Sequence, residues 1–322
     1  MKAIVQDTYG GPDVLRFADV DPPTIGDDEV LVRVRAAAVH PGDVLMMRGQ
    51  PVAMRPMFGL RRPRRRTPGF DVAGNVEAVG AGVRDLRPGE EVFGEGNGTC
   101  AEYASASPDK LAPKPRDLSF EQAAAVPMSG LTALHALRDV ARVHSGQRVL
   151  INGASGGIGT FAVQIAAALG AEVTGVCSTR NVDLVRSLGA ARVIDYTRED
   201  FTRGEVQYDV ILDNVANHSL SQLRRALTPH GTLIPNNGTS GGRWLGPLPT
   251  MAQALVVSPF VGQHMRLFVS NARRTDLETL TAMIDAGDVT PVIDRMYRLS
   301  DAAEALAHVA RGHARGKVVI TV

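Results

Sequence analysis

The middle of the chain alternates between short apolar runs and longer segments whose apolar residues recur at helical spacing. The apolar runs predict strands over residues 149–151, 172–177, 192–194, 210–213 and 232–234. The segments between them predict helices over residues 157–169, 181–188 and 220–227. Because strands that alternate with helices are typical of βαβ units, this part of the chain is predicted to form a parallel sheet.

The two ends of the chain show a different pattern. In the first 120 residues, short predicted strands are separated by Gly, Pro and Asp, which indicates a compact β-rich domain. These strands cover residues 3–5, 30–34, 72–79 and 91–93. Residues 120–137 predict a helix interrupted by Pro127 and Gly130. The end of the chain predicts a strand at 267–269, helices at 277–285 and 302–309, and a strand at 317–322.

A glycine-rich turn lies between the first strand and the first helix of the alternating region. It has the spacing Ala154-x-Gly156-x-x-Gly159, with alanine in place of the first glycine of a dinucleotide-binding fingerprint. Glycine at the second position lets the backbone approach a pyrophosphate, and the third lets helix and strand pack closely. The helix N-terminus adds free N–H groups and a positive dipole end. A glycine-rich turn often has no ligand, but its position here between a strand and a helix favours a cofactor site. The predicted contact residues are Ala154, Ser155, Gly156, Gly157, Ile158 and Gly159.

Length and composition favour an ordinary cytoplasmic protein of two domains. The chain has 322 residues, 44% of them hydrophobic, and 35 basic against 34 acidic side chains. A net charge near zero gives no indication of nucleic acid as a partner. Cys100 and Cys177 cannot build a disulfide framework, which fits a reducing compartment. The N-terminus reads as a strand without the apolar region of a signal peptide, and no apolar run reaches the ~20 residues of a membrane span.

Five arginines and one proline form the run from residue 61 to residue 66. One interpretation is a solvated loop, which is the usual role of a charge run. The other is a landing site for a phosphate-bearing substrate or for an anionic surface. The sequence leaves both open.

Several motifs together resemble the medium-chain dehydrogenase/reductase superfamily, and within it the zinc-free quinone oxidoreductase branch. The residues from Pro68 to Gly80 (PGFDVAGNVEAVG) resemble the signature P-G-x-D-x-x-G-x-V-x-x-V-G. His40-Pro41-Gly42-Asp43 is similar to the N-P-x-D of that branch, and the GASGGIG turn and residues 312–319 are also similar. The resemblance implies an α/β protein with a GroES-like β-rich catalytic domain and a doubly wound Rossmann domain. It places these at residues 1–120, completed by 264–322, and at 121–263, with the active site in the cleft between them and a homodimer as the assembly.

The same motifs indicate whether the chain has the residues that bind zinc in related enzymes. Zinc dehydrogenases of the superfamily use Cys, His and Cys, with the histidine inside G-H-E, but this chain has Gly69-Phe70-Asp71 there. No cysteine lies near residues 40–43, and the region of the structural zinc has only Cys100 where four cysteines are needed. Since zinc requires about four ligands, or three and water, the chain is predicted to be metal-free.

The second predicted strand of the alternating region indicates which nicotinamide cofactor binds. An NAD site usually has an acidic residue at this strand end, but the chain has Cys177-Ser178-Thr179-Arg180. Ser178 and Arg180 suit a 2′-phosphate, so NADPH is predicted, unless Arg180 is only a surface residue that begins a helix. By resemblance, the cofactor should also contact Thr132, Tyr196, Asn214, Val215, Asn237, Gly238 and Lys317.

The predicted reaction is hydride transfer to a small molecule, either a quinone or an α,β-unsaturated carbonyl. Enoyl-reductase relatives use a tyrosine after N-P-x-D as proton donor, but residues 45–51 contain none. This absence weakens the interpretation as an enoyl-thioester reductase, which stays an alternative. It also keeps open a non-catalytic NADPH-binding protein that acts as a redox sensor or interaction protein. His40 could donate a proton or serve only as a structural hydrogen-bonder, and Asp43 is expected to cap the following helix. Residues 50–67 and 238–260 are expected to line the substrate mouth.

Overall fold

The computed structural model describes residues 1–236, 242–246 and 262–322. The chain divides into two compact units. The first unit consists of Met1–Leu131, Asn271–Gly287 and Pro291–Val322. The second unit consists of Thr132–Ser270 and Asp288–Thr290.

The strands of the described residues are β1 (Lys2–Val5), β2 (Arg16–Asp19), β3 (Val30–Val39), β4 (Asp71–Val79), β5 (Glu91–Glu95), β6 (Tyr103–Ala106), β7 (Leu111–Pro113), β8 (Arg148–Asn152), β9 (Glu172–Cys177), β10 (Arg192–Asp195), β11 (Tyr208–Asp213), β12 (Leu227–Pro235), β13 (His264–Met265), β14 (Ile293–Arg298) and β15 (Lys317–Thr321). The α-helices are α1 (Pro41–Arg48), α2 (Arg55–Phe58), α3 (Phe120–Ala124), α4 (Pro127–Leu134), α5 (Gly157–Ala168), α6 (Val182–Ser187), α7 (Leu220–Arg225), α8 (Gly242–Leu245), α9 (Arg274–Asp285) and α10 (Ala302–Ala310). A π-helix covers His135–Val140, and short 3-10 helices cover Pro12–Val14, Val52–Met54, Pro108–Lys110, Thr179–Asn181, Phe201–Arg203 and Leu299–Asp301.

The first unit is built on a seven-stranded sheet. Six strands follow the order β14-β15-β3-β4-β5-β7, and β6 pairs with β3 beside this path. Apart from the parallel β14–β15 pair, the neighbours are antiparallel. In β3 the residues Val30, Val32 and Val34 are buried and alternate with more exposed neighbours. The end of β3 is buried on both faces, which explains why small alanines follow the valines there.

The second unit contains a six-stranded parallel sheet in the order β10-β9-β8-β11-β12-β13. This is the strand order 3-2-1-4-5-6 of a doubly wound nucleotide-binding fold. The order reverses between β8 and β11, because the chain first builds outward through β9 and β10 and then returns to the other side of β8. Ligands of such sheets bind beyond the carboxyl ends of the strands at this switch point.

The α-helix α5 follows β8 and packs against β8 and β9. Its residues from Gly159 to Ala166 are all buried, so the helix is apolar on nearly every side, as a helix covered by a sheet and by further structure must be. Gln164 is, with Thr160, one of the two polar members of this run. Its amide donates to the carbonyls of Thr160 and Thr290 and accepts the N–H of Thr290, which satisfies its buried polar atoms.

Most predicted elements of the alternating region are present, and β9 has the predicted bounds. The strand predicted at residues 267–269 is wrong. This stretch is irregular, and Val269 is 93% exposed, while the edge strand is β13 instead. The predicted loop at residues 238–260 lies outside the described residues except for 242–246, which include α8. Among the described helices, none is both long and apolar enough to cross a membrane.

Candidate functional site

The glycine turn lies at the carboxyl end of β8, and its backbone is held against β9. The N–H groups of Gly153 and Ala154 both donate to the carbonyl of Val176, at 3.2 and 3.0 Å. Gly153 has φ +79°, a left-handed conformation that favours glycine. Ala154 is fully buried, whereas Ser155, Gly156, Gly157 and Ile158 are half-exposed. The accessible part of the turn is therefore the part that forms the N-terminus of α5.

Gly156 is the N-cap of α5 and supplies no capping side chain. The first N–H groups of a helix have no partner within the helix, and here no side chain of the cap takes their place. Among the described residues, a Cβ on Gly156 would meet only the carbonyl oxygen of Gly153, at 3.4 Å, so no described residue covers this position. Partial positive charge and open space together make the turn suitable for a phosphate.

Gly159 has a different role from Gly156. A Cβ at this position would lie 2.1 Å from the carbonyl oxygen of Gly153 and 2.8 Å from the backbone of Ala154. These contacts are with backbone atoms, so they could be relieved only by moving the turn. Gly159 thus lets the helix approach the strand, as predicted from the motif.

The polar side chains of the turn and of the end of β9 are connected through Asn181. Its amide nitrogen donates to Ser155 Oγ at 2.9 Å and to Ser178 Oγ at 3.3 Å. Its Oδ1 is buried and has no hydrogen-bond partner in the part of the chain that the structure describes. A buried acceptor without a donor is unusual and indicates a group that a ligand or water satisfies. The structure thus brings Ser155 and Ser178 together, and Asn181 is a residue that the sequence reasoning missed.

The end of β9 has no carboxylate, but one lies on the neighbouring strand. Asp195, the last residue of β10, accepts from the hydroxyls of Thr179 at 2.6 Å and of Thr197 at 2.8 Å. These hydrogen bonds, first the one from Thr179, lower the pKa of Asp195. Arg180 and the ring of Tyr196 are exposed beside them. Asp195 was not predicted, although its place at a strand end was a usable signal.

A buried polar network occupies the switch point between β8 and β11. Asn152 donates through its Nδ2 to Asp213 Oδ1 at 2.8 Å and to Asn217 Oδ1 at 2.9 Å. Asp213 also accepts the N–H groups of Val215 and Ala216, and so fixes the loop after β11. Ala216 has φ +58°, which the carboxylate helps to hold. The sequence reasoning missed this network, although an asparagine and an aspartate each end a strand here.

The remaining predicted residues of the second unit have varied surroundings. Asn214 accepts from Asn236 Nδ2 at 2.8 Å and donates to the carbonyl of Asn152, and Val215 is 42% exposed beside it. Thr132 is buried in α4. Asn237 and Gly238 lie outside the described residues.

In the first unit, His40 caps α1. Its Nδ1 accepts the N–H of Gly42 at 3.0 Å, and the N–H of His40 donates to Asp43 Oδ2 at 2.8 Å, which completes a capping box. Since Nδ1 is an acceptor, the ring proton is on Nε2, which lies 3.4 Å from Asp43 Oδ2. Asp43 is fully buried, and this burial raises the pKa of its carboxyl group. Asp43 was expected to cap the helix that follows it, but the N-cap is His40, and Asp43 lies within α1 at position N3, where its carboxylate forms the second half of the capping box.

Lys317 is buried at the start of β15. Its Nζ donates to Asp71 Oδ2 at 2.8 Å and to Ser129 Oγ at 3.2 Å. Asp71 Oδ1 accepts the N–H of Met128, so this carboxylate links β4 to β15 and to the first turn of α4. With 1% of its area exposed, Lys317 has a structural partner here, and its contact with a phosphate stays a prediction.

Glu95 is paired with Asp71 across β4 and β5. Burial, and next the negative charge of Asp71, raise the pKa of Glu95 to about 7. A carboxyl group that is half-protonated near neutrality is thus built into the interior of the first unit. Neither the strand pattern nor the motifs indicated it.

Comparison with known proteins places the chain in a family. Its residues 26–116 match a family model of the alcohol dehydrogenase GroES-like domain, and residues 188–320 match one of a zinc-binding dehydrogenase. The chain is 36% identical over 357 residues to the mouse (Mus musculus) mitochondrial NAD(P)H oxidoreductase RTN4IP1. This alignment covers 100% of this chain and 89% of the mouse protein. The chain belongs to the medium-chain dehydrogenase/reductase superfamily.

Two further similarities place this medium-chain dehydrogenase/reductase near the quinone oxidoreductases. It is 32% identical to the chloroplastic NADPH-dependent alkenal/one oxidoreductase of Arabidopsis thaliana, over 99% of this chain and 79% of the plant protein. The structure of the quinone oxidoreductase of Coxiella burnetii superposes with a TM-score of 0.88 at 30% identity, over 100% and 99% of the two chains. The predicted superfamily, its quinone oxidoreductase-like branch and the α/β fold class are confirmed.

The zinc in the name of one matching family model raises the question whether this medium-chain dehydrogenase/reductase can hold the metal. Phe70 stands where the zinc dehydrogenases have histidine, and the thiol of Cys100 is fully buried, which raises its pKa. No cluster of three or more His, Cys, Asp or Glu side chains suited to a metal occurs among the described residues. The residues present do not fit a zinc site.

Proposed function

We propose that this protein is an NADPH-dependent oxidoreductase that transfers hydride to a quinone or to an α,β-unsaturated carbonyl compound. The observation that carries the proposal is the accessible glycine turn at the N-terminus of α5, with no described residue covering Gly156 and polar side chains from Ser155, Ser178 and Asn181 beside it. The names of the mouse and Arabidopsis relatives support a pyridine nucleotide as cofactor.

Different segments at this edge of the sheet would hold different parts of the cofactor. The N–H groups at the start of α5 would bind the pyrophosphate, and Asn214 and Val215, which follow β11 at the switch point, would contact the nicotinamide end. The bound dihydronicotinamide supplies the hydride, and the protein binds and orients it. Thr132, Tyr196, Asn237, Gly238 and Lys317 are kept as proposed contacts by resemblance.

The preference for NADPH rests on the end of β9. Ser178 can donate to a phosphate oxygen, and Arg180 can pair with it, because no carboxylate of β9 takes the place of the ribose ligand. The carboxylate that is nearby, Asp195, is already engaged by the hydroxyls of Thr179 and Thr197. A 2′-phosphate would therefore be bound by hydroxyl and guanidinium groups.

The source of the proton is the least defined part of the proposed reaction. Residues 45–51, where related enoyl reductases have a tyrosine as proton donor, contain none. His40 as the proton donor remains part of the proposal, but its Nδ1 accepts the hydrogen bond that caps α1. Its Nε2 lies 3.4 Å from Asp43 Oδ2 and is buried without a hydrogen-bond partner among the described residues. A quinone needs less help, because the reduced oxygen can take its proton from water. Replacing His40 with asparagine, whose side-chain oxygen can also accept the Gly42 N–H, tests the role without removing the cap. If the histidine is the donor, kcat falls by about 100-fold.

Consumption of NADPH against a panel of quinones, enones and enoyl thioesters tests the proposed function. The proposal predicts turnover of quinones or enones that is faster with NADPH than with NADH. Turnover of enoyl thioesters alone would support the enoyl reductase alternative. Tight NADPH binding without oxidation by any of these acceptors would support a non-catalytic sensor. The homodimer and the cytoplasmic setting are likewise predictions, and the mouse relative is named as mitochondrial.

A further inference from the structure

Residues 55–66, here called the arginine segment, carry a concentrated positive charge. The sequence RPMFGLRRPRRR contains six arginines and no carboxylate, in a chain whose net charge is only +1. The rest of the chain therefore carries a net charge of −5. The predicted function uses none of these arginines for the cofactor.

The backbone of the arginine segment is tied to the first unit. Tyr9 donates from its hydroxyl to the carbonyl of Gly59 at 2.6 Å. The N–H of Arg64 donates to the carbonyl of Phe58 at 2.8 Å, and the carbonyl of Arg66 accepts the N–H of Gln6 at 2.8 Å. The backbone of the segment is thus held in a defined conformation by hydrogen bonds to the rest of the first unit and within the loop.

Two arginines serve this loop. Arg55 donates to the carbonyl of Gly49 at 3.0 Å and lies over the ring of Tyr9, 4.7 Å from its centroid. Arg66 forms an ion pair with Asp7 at 2.7 Å. Both interactions hold the two ends of the arginine segment in place.

The other four arginines point to solvent. Arg61, Arg62, Arg64 and Arg65 are exposed, and none forms an ion pair within the described part of the chain. Four unpaired guanidinium groups on one short loop repel one another, so a bound anion would stabilise the arrangement. Guanidinium groups bind phosphate oxygens in particular, because their N–H groups can donate in pairs.

Large apolar side chains are exposed on the same loop. Met57 is 62% exposed and Leu60 is 69% exposed, immediately before the four free arginines. A soluble phosphate ligand or a nucleic acid backbone would bind the arginines but give these apolar side chains no new environment. A lipid surface offers both, since its headgroups carry phosphate and its acyl boundary accepts Met and Leu.

We propose that the arginine segment docks the protein on anionic membrane surfaces. Arg61, Arg62, Arg64 and Arg65 contact lipid phosphates, and Met57 and Leu60 enter the boundary between headgroups and acyl chains. Such binding is peripheral and reversible, because it combines a basic patch with a small apolar insertion. It would hold the protein beside substrates that dissolve in the bilayer, but it does not depend on the proposed reaction.

Sedimentation with lipid vesicles tests the docking. The full chain is expected to bind vesicles of phosphatidylcholine with about one-third phosphatidylglycerol and to ignore pure phosphatidylcholine. The variant with Arg61, Arg62, Arg64 and Arg65 changed to serine should bind the anionic vesicles at least about 100-fold more weakly, since each arginine near an anionic surface contributes about 1 kcal/mol. Its matched control removes four other exposed arginines of the first unit: Arg84→Ser, Arg87→Ser, Arg116→Ser and Arg295→Ser. This control should lose no more than about threefold.

The apolar contribution needs its own variant and probe. Changing Met57 and Leu60 to serine should weaken vesicle binding about tenfold. A polarity-sensitive fluorophore on Leu60→Cys should shift to the blue on anionic vesicles. The label is selective because Cys100 and Cys177 are buried. Melting temperatures of all variants check that each one folds.

The proposal is overturned if the wild-type chain does not bind anionic vesicles, or if the control variant loses as much binding as the four-serine variant. A different outcome would point to a soluble polyanion. If polyuridylate binds as tightly as the vesicles and the fluorophore on the variant of Leu60 shows no shift with lipid, the segment recognises nucleic acid and not a membrane.

Discussion

Glu95 shows at the scale of a residue how the interior of the first unit responds to pH. Its pKa is raised from 4.5 to about 7, mainly by burial and next by the charge of Asp71. The folded protein therefore binds the proton more tightly than the unfolded chain does. The stability that Glu95 contributes is complete below about pH 4.5 and is lost as the pH rises through about 7.

Glu95→Gln should remove this pH dependence. At pH 8 the variant is expected to be more stable than the wild type by about 1–3 kcal/mol, because no buried charge has to form, and near pH 4.5 the two should be similar. Urea denaturation at both pH values measures the difference. Glu77→Gln, at an exposed position of β4, is the matched control. Equal effects of the two substitutions at pH 8 would refute the buried-acid account.

Lys317 and Asp71 allow a second prediction at this scale. Lys317→Met leaves the carboxylate of Asp71 buried without its ion pair, so the free energy of unfolding should fall by about 3–5 kcal/mol. Adding Asp71→Asn should recover much of this loss, since an amide carries no charge and its oxygen can still accept the Met128 N–H. The comparison is made by chemical denaturation. A double variant no more stable than Lys317→Met would contradict the pairing.

At the scale of an element, two glycines near the N-terminus of α5 are expected to have different roles, one in cofactor binding and one in stability. Gly156→Ala should leave stability within about 1 kcal/mol, because within the described ranges its Cβ meets a single atom, at 3.4 Å. The same Cβ should weaken NADPH binding about tenfold or more by filling the space of the pyrophosphate. Gly159→Ala should instead lower the melting temperature, because its Cβ would lie 2.1 Å from a backbone oxygen. Thermal unfolding and calorimetric titration with NADPH measure both quantities.

Loss of stability in Gly156→Ala without loss of binding would reverse these two roles. In that case the turn would serve only to pack α5 against the sheet, and the nucleotide would have to bind elsewhere.

The same element shows why this half of the chain could be predicted from sequence. In β8, α5 and β9 the apolar pattern, the glycine turn and the burial all agree, so the predicted and observed bounds differ by a residue or less at each end. Edge strands lack this agreement. β2 has three exposed residues of four, and β13 has only two residues, so each exists because a neighbouring strand pairs with it. No apolar pattern marks them.

Only the parts of the candidate site that depend on local structure could be predicted from the sequence. The glycine turn and the involvement of Asp43 in capping α1 follow from short motifs. The hydrogen bonds of Asn181 to Ser155, of Asp195 to Thr179 and of Lys317 to Asp71 join residues far apart in sequence, up to 246 positions. Such pairs depend on strand order and register, which a single sequence does not give.

At the scale of the whole molecule, the strand order of the second unit connects the fold to the proposed activity. The reversal between β8 and β11 brings the glycine turn, the loop after Asp213 and the end of β9 to one edge of the sheet. The structure of the Coxiella burnetii quinone oxidoreductase shares this fold, whereas the Arabidopsis thaliana relative is named for alkenals and enones as acceptors. The substrate therefore has to be established by assay, since fold alone does not determine it.

Calorimetric titration of the wild-type protein with NADPH and with NADH tests the central claim most directly, because it needs no knowledge of the acceptor. We expect NADPH to bind with a Kd at least about tenfold lower than that of NADH, which is the gain from charge-assisted hydrogen bonds of Ser178 and Arg180 to the 2′-phosphate. Tighter binding of NADH would contradict the cofactor assignment, and failure of both nucleotides to bind would contradict the assignment of the site itself.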